Sequence, residues 1–469
     1  MEILISNKIR LKQAPKALTD LLINELKIPN PKHHEALQAG RSTWNINPFL
    51  YNFEMLPDDS LLVPRGYRSR VLEVAEGMDL QFAITDERTH FEPNFNINSS
   101  RIRYRPYQYD AVMQMVGVPE GVLVAPAGSG KTVIGISLAP LFGQPLLWLT
   151  HTTPLAKQAM DRIDFFFPEI DRDEIGFIGG GKWKVGKIFT VAMIQTLVRR
   201  LNELYKIRDS FGLVILDEAH HCPASTFLKV IGYFNPYYLY GLTATPYRRD
   251  KLERLMFQAI GPEIANIPIR EVEKRGGIMR PVVKYKSFNH HRAVHGSNVA
   301  SILTQNIINN DKRNHLIVSD VIIEAAAGNY CIVTSDRKAH CEVLYDLIST
   351  GWDQTGIATG DYSKKYVEEQ IEKLNNGDIT VLVCTNQLLG EGFDFPPLNR
   401  AFIASPFRAE AKCEQLVGRI QRPAPGKTDA IVYDYVDVNI GVFQSQFFSR
   451  NQPCRYKAYE RLGINIEPF

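Results

Sequence analysis

The chain has 469 residues, 45% hydrophobic and 22% charged, which is a globular composition too long for one ordinary core and sized for about three domains. Its 54 basic and 51 acidic residues leave a net charge of +3, which neither demands nor excludes a nucleic-acid partner, because a strand-binding groove needs a local positive stripe rather than a basic average. The opening MEILISNKIR is too polar for a signal peptide and no apolar run reaches the length of a membrane span, so the expectation is a protein of the bacterial or host-cell cytoplasm with no membrane partner.

Residues 1–95 read as a small α+β accessory module. Leu18, Leu21, Leu22 and Leu26 share one face of a predicted helix over Lys16–Leu26, and Leu61-Leu62-Val63 forms a short strand ended by the turn Pro64-Arg65-Gly66. Residues 94–100 are polar and read as a linker. From 96 to 275 short apolar runs alternate with helical stretches: Val122–Ala125, Leu146–Leu149, Ile188–Ala192, Leu213–Leu216 and Tyr238–Leu242. A second alternating set fills 276–469, with Cys331–Thr334, Thr355–Ala358, Thr380–Cys384, Arg400–Ala404 and Ala430–Tyr433. Such alternation predicts two α/β lobes, each a parallel sheet covered by helices, and the aromatic-rich segment after Asp437 is expected to pack back on a lobe.

Six cysteines (222, 331, 341, 384, 413 and 454) contain no C-x-x-C pair, so buried reduced thiols are expected rather than a structural zinc site. Basic residues cluster at Lys8, Arg10, Lys12 and Lys16, at Arg101, Arg103 and Arg105, at Lys182, Lys184 and Lys187, and at Arg248, Arg249, Lys251 and Arg254. Trp183, within Gly179-Gly180-Gly181-Lys182-Trp183-Lys184, fits a base-stacking loop and an ordinary hairpin turn equally well.

The strongest local signal is Ala125-Pro126-Ala127-Gly128-Ser129-Gly130-Lys131-Thr132, which follows a predicted strand and opens a helical stretch. Glycines let the backbone curl its N–H groups toward phosphate oxygens, and the helix N-terminus adds partial positive charge. Lys131 is placed to neutralise the β- and γ-phosphates of ATP, and the Thr132 hydroxyl to ligate Mg²⁺. Ala125 stands where the general pattern has its first glycine. Asp217-Glu218-Ala219-His220 ends the apolar run Leu213–Leu216, so its carboxylates are expected at the carboxyl edge of a buried parallel sheet, where ligands of open α/β sheets bind. Asp217 is the expected holder of Mg²⁺, and Glu218 the base that orients and deprotonates the attacking water.

With these two motifs, further segments fall into a known order, and from about Arg103 to about Pro423 the chain resembles superfamily 2 helicases. Arg105-Pro106-Tyr107-Gln108 resembles the adenine-recognition element, with Gln108 on the base edge. Thr150, His151 and Thr190 sit in segments that resemble backbone-contacting motifs, and Asp217–His220 has the DEAH form of motif II. Thr243-Ala244-Thr245 resembles motif III, so His220, Thr243 and Thr245 are expected to couple the nucleotide site to the nucleic-acid path. In the second lobe Thr334 and Thr385 occupy backbone-contact positions, and Gly390-Glu391-Gly392-Phe393-Asp394 resembles motif V, with Gly392 and Asp394 toward the nucleotide. Gln415 through Arg422 matches the Q-x-x-G-R-x-x-R form of motif VI. The resemblance implies two tandem RecA-like lobes with ATP between them, Arg419 and Arg422 completing the site when the lobes close. Their spacing predicts a shared face one helical turn apart.

The Arg-Pro-Tyr-Gln element and compact lobes look like DNA motors, and the turn at Pro64 recurs in a phage-type group of branch-migration helicases. The reading is an ATP- and Mg²⁺-dependent monomeric DNA helicase or translocase. Forks or junctions are its expected substrates, in recombination, repair or replication and with protein partners from those processes. The alternatives are an RNA-remodelling ATPase and a motor subunit of a restriction or defence complex.

Overall fold

Apolar residues alternate along Glu2–Ile5 and Lys8–Lys12, so Ile3, Ile5, Ile9 and Leu11 fall on one face of an antiparallel pair and are buried. The computed structural model describes residues 1–93, 101–221, 225–244, 252–291, 298–390, 393 and 395–469. These form two compact units, Met1–Glu271 and Val272–Phe469.

The first unit contains two sheets. The N-terminal sheet has the order Glu54–Met55, Leu61–Pro64, Lys8–Lys12, Glu2–Ile5, Ala83–Asp86. Helices Lys16–Glu25 and Arg68–Gly77 supply Leu18, Leu22, Val71 and Val74 to its core. The turn at Pro64 becomes a short 3-10 segment, Arg65–Tyr67, that seats this module on the neighbouring sheet. A Cβ at Gly66 would strike the backbone of Phe257 and Gly261, so only glycine permits the approach. Arg65, 2% exposed, donates from Nε to Glu120 at 2.9 Å and from its two terminal nitrogens to the carbonyls of Pro236 and Tyr237.

The second sheet is parallel over seven neighbours: Ile175–Gly179, Phe189–Met193, Leu146–Thr150, Leu213–Asp217, Tyr238–Thr243, Glu120–Val124, Glu263–Asn266. An antiparallel edge strand, Lys182–Lys184, closes the hairpin. Strands 146–150 and 213–217 are buried at every position, as expected of a parallel sheet covered on both faces.

The second unit is an all-parallel seven-stranded sheet: Thr355–Ala358, Val381–Thr385, Cys331–Ser335, Arg400–Ile403, Ile431–Asp437, Val282–Phe288, Asn465–Pro468. The strand Val282–Phe288 escaped the sequence reading because Lys284 and Lys286 interrupt its apolar residues. The C-terminal segment packs back as anticipated, through helices Gly441–Phe447 and Arg455–Arg461 and the edge strand. The five described cysteines are all buried, and Cys222 lies outside the described residues. Among the described residues no helix is long and apolar enough to cross a membrane.

Candidate nucleotide site and its nucleic-acid edge

Strand order builds the site. Tyr238–Thr243 lies between Glu120–Val124 and Leu213–Asp217, so the loop that follows Glu120–Val124, the carboxylates at the end of Leu213–Asp217 and Thr243 meet at one sheet edge. Ala125 N–H donates to Thr243 O at 2.8 Å, which pins the start of the phosphate loop to the strand beside it. Gly128 (φ +81°) and Gly130 (φ +86°) take left-handed conformations that curl the loop into the helix Lys131–Phe142. Lys131 Nζ is held at 3.2 Å by Ala125 O, and a Cβ on Gly130 would strike Gln108 Nε2.

Gln108 is buried and does more than the sequence indicated. Its Oε1 accepts Arg105 N–H at 2.9 Å, and its Nε2 donates to Ser129 O at 2.8 Å. The side chain therefore braces the phosphate loop against the helix Pro106–Val116. Arg105 turns its Nη1 to the Tyr107 hydroxyl at 2.9 Å. Pro126, Ala127, Gly128 and Thr132 are at least partly exposed, whereas Ser129 is buried with its Oγ lacking any hydrogen-bond partner among the described residues. An orphaned buried hydroxyl in a glycine-rich turn at a helix N-terminus fits a phosphate group.

Asp217 is also buried, and Glu218 N–H donates to its Oδ1 at 3.0 Å. Burial, reinforced by the charge of Glu218, raises the Asp217 pKa, while Lys131 opposes the rise. Burial also penalises the Glu218 charge, but Lys131, His220, His221 and His151 outweigh it and hold that carboxylate ionised. A buried carboxylate with unfilled acceptor capacity, close enough to Lys131 to feel its charge, fits a divalent cation, which Asp217 would hold together with Thr132, the partly exposed residue after Lys131. Glu218 has φ +50°, a conformation that costs a non-glycine residue about 1–2 kcal/mol and that gathers at functional sites.

The predicted coupling pair is brought together: His220 Nδ1 lies 3.1 Å from Thr243 Oγ1 and 3.4 Å from Glu218 Oε2. Thr245 lies outside the described residues. His221, which carried no expectation from the sequence, packs at a tilt between His151 and His220 with ring centroids 4.2 Å from each. Its signal was the doublet His220-His221 after the carboxylates. Gln195 Nε2 donates to His151 O at 2.7 Å and joins the two segments expected to face nucleic acid.

Not every expected phosphate contact lies at this edge. Thr190 sits near the opposite end of its strand, is fully buried, and its Oγ1 accepts Gly186 N–H at 2.9 Å. Thr334 is likewise buried and donates to Phe402 O at 3.3 Å. In this structure both hydroxyls are engaged by backbone, that of Thr190 within its own segment and that of Thr334 on the neighbouring strand. Thr150 is buried with its hydroxyl unpartnered among the described residues, whereas His151 and Thr385 are partly exposed. Trp183 packs partly against the core of its lobe with Arg200 over its ring at 5.7 Å, which favours the hairpin alternative over a stacking loop.

In the second unit Gln415 and Arg419 lie on the helix Glu410–Ile420, and Arg422 follows two residues beyond its end rather than within it. Gln415 is exposed, and both arginines are partly exposed. Asp336, a residue without a motif signal, gathers the neighbouring segments: its Oδ1 accepts Asn386 Nδ2 at 2.9 Å and Lys412 Nζ at 2.8 Å. Gly392 and Asp394 lie outside the described residues.

Comparison with known proteins places these features. Residues 101–248 match the model of the type III restriction enzyme res subunit, and residues 312–424 match the helicase conserved C-terminal domain. A probable helicase of Escherichia phage T5 is 26% identical over 66% of this chain and 66% of its own length. The DNA 3'-5' translocase XPB2 of Sulfurisphaera tokodaii is 31% identical over 70% of this chain and 80% of its own length. The solved structure of S. cerevisiae Dbp5 bound to RNA and ADP BeF3 shares the fold, with a TM-score of 0.54, 14% identity and coverage of 78% of this chain and 89% of that one. On the strength of the archaeal translocase, with both domain models in tandem order, the chain belongs to helicase superfamily 2, a family of nucleic-acid-dependent ATPases.

Proposed function

We propose that this chain is an ATP-dependent DNA helicase or translocase that acts on branched or forked DNA in recombination, repair or replication. The observation that carries the reading is the meeting, at one sheet edge, of the phosphate loop, the Asp217–Glu218 pair and the His220–Thr243 contact. The loop amides and Lys131 bind the ATP phosphates. Thr132 and Asp217 would hold Mg²⁺, which would supply charge neutralisation to the phosphates. Glu218 takes the proton of the attacking water, and its unfavourable φ aims the carboxylate at that position. Arg419 and Arg422 are the cations assigned to balance charge on the transferring phosphoryl group. His220 passes the state of Glu218 to Thr243.

The 31% identity to a DNA translocase favours DNA over RNA. The N-terminal module adds a surface suited to nucleic acid: Trp44 is 93% exposed in a segment that carries Lys27, Lys32 and Arg41 against one acid, Glu35. Phosphate loop and arginines belong to one chain, so a monomer suffices.

The test is ATPase and strand separation measured on forks, four-way junctions, duplex, single strands and RNA at several salt concentrations. Branched DNA should stimulate most and binding should weaken steeply with salt. Glu218→Gln should retain ATP binding and lose turnover, and normal turnover in that variant removes the assigned base. Strongest stimulation by RNA supports the RNA-remodelling alternative. Co-purification with a nuclease or methylase supports the defence-complex alternative.

A further inference from the structure

The helix that carries Gln415 and Arg419 ends at Ile420, with Arg422 just outside it. A helix C-terminus leaves its last carbonyls without intrahelical donors, and a cation there also meets the negative end of the helix dipole. One side chain fills that need here. Lys427 Nζ lies 2.6 Å from Ile420 O, 2.8 Å from Arg422 O, 2.5 Å from Leu398 O and 3.2 Å from Pro396 O. An ammonium has three N–H donors, so four carbonyls within reach saturate it and hold it centrally.

The four oxygens come from two places. Ile420 and Arg422 flank the end of the arginine-bearing segment, and Pro396 and Leu398 follow the Gly390–Asp394 motif. Three charged groups face this lysine: Arg422, Asp429 and Arg400, of which Arg400 is itself paired with Asp429 at 2.7 Å and Glu324 at 2.6 Å. Burial, aided by Arg422, lowers the Lys427 pKa to about 8, so the ammonium persists at neutral pH. For a half-buried lysine beside two arginines, the favourable partners are the carbonyls it joins and the Asp429 carboxylate, which Arg400 shares.

We propose that Lys427 is a positioning residue for ATP hydrolysis, whose ammonium clamps together the exits of the two nucleotide-facing motifs of the second unit and so fixes the backbone that presents Arg422. The proposal rests on the reading of Arg422 as a contact to the transferring phosphoryl group. It requires that the charge on Lys427 act through Arg422 and not independently of it.

A double-mutant cycle on the full chain tests this, using DNA-stimulated ATPase at saturating ATP and DNA with thermal unfolding in parallel. Lys427→Met keeps the length of the side chain and removes all donors. Its kcat should fall about tenfold, with KM for ATP changed less than about threefold, because the ground-state phosphate contacts lie in the first unit. Lys427→Met combined with Arg422→Ala should be no slower than Arg422→Ala alone, within about twofold, because the clamp has nothing left to position. Lys427→Gln, which keeps an amide donor, should recover part of the loss, and it replaces Lys427→Met in the cycle if the methionine variant does not fold. Unchanged kcat in the single variants, or a multiplicative loss in the double variant, overturns the proposal while the nucleotide role of Arg422 stands. Undiminished turnover in Arg422→Ala overturns that underlying role and this proposal together.

Discussion

Removing the charge of Glu120 should loosen the N-terminal module from the first lobe. Glu120 is 3% exposed at the start of the strand that leads to the phosphate loop. Its carboxylate receives Arg65 Nε at 2.9 Å and Arg68 Nε at 2.5 Å, and Arg88 Nη1 approaches to 3.6 Å. Glu120→Gln keeps the shape and leaves three guanidinium groups facing a neutral amide. The cost is not three times that of one pair. Arg68 is 21% exposed and regains water, and Arg88 keeps Asp86 at 2.6 Å. Arg65 alone stays buried with only the carbonyls of Pro236 and Tyr237 as partners. Stranding one buried charge costs about 3–5 kcal/mol. At about 2–4 °C per kcal/mol for a unit of this size, the melting temperature of the first unit should drop by about 6–20 °C. Thermal and guanidinium unfolding followed by circular dichroism measure this, with limited proteolysis reporting release of the module. Arg68→Ala is the control and should cost no more than about 1 kcal/mol. A loss below about 1 kcal/mol in Glu120→Gln would refute the view that this cluster, rather than apolar contact, seats the module.

Three further outcomes follow from local geometry. His340 is fully buried between Ser335 Oγ and Asn314 Oδ1, each at 3.1 Å, and desolvation, aided by Arg313, pushes its pKa down from 6.5 to about 3. Between those values the unfolded chain binds more protons than the folded one, so stability is lost as pH falls from 6.5, by roughly 3 kcal/mol at about pH 4.5. His340→Gln should flatten that fall in urea titrations, and equal pH slopes in the two proteins would count against the assignment. Gly130→Ala puts a side chain at φ +86° against Gln108 Nε2, so nucleotide affinity measured by titration should drop well over tenfold, and retained affinity would show that the loop relaxes without cost. Trp44→Ala should weaken single-strand binding by about 1–3 kcal/mol in fluorescence anisotropy and remove any quenching of Trp44 emission by DNA, while equal affinity would exclude this segment from the interface.

The motifs were legible because each is local. A glycine-rich turn, a strand ending in two acids and an arginine-bearing helix are written in consecutive residues, and apolar runs marked ten of the central strands because buried parallel strands tolerate few polar side chains. Strands with mixed faces were not visible in that way. Val282–Phe288 carries two lysines, one meeting Asp320 at 2.9 Å, and Glu263–Asn266 and Asn465–Pro468 are short edges. Thr190 and Thr334, both buried, illustrate another limit. A motif names the position, but whether a hydroxyl points to solvent or to backbone depends on register, which long-range pairing sets.

The sequence by itself determined the chemistry: a phosphate loop, paired carboxylates and late arginines in one chain define the class of reaction. Tertiary structure alone decided which groups share an edge. Gln108 braces Ser129, His221 packs between two other histidines, Asp336 joins three segments, and Lys427 gathers four carbonyls. The physical reason is separation along the chain. These contacts join residues that come together only after strand order is set, and a side chain's partners depend on that order rather than on its neighbours in sequence.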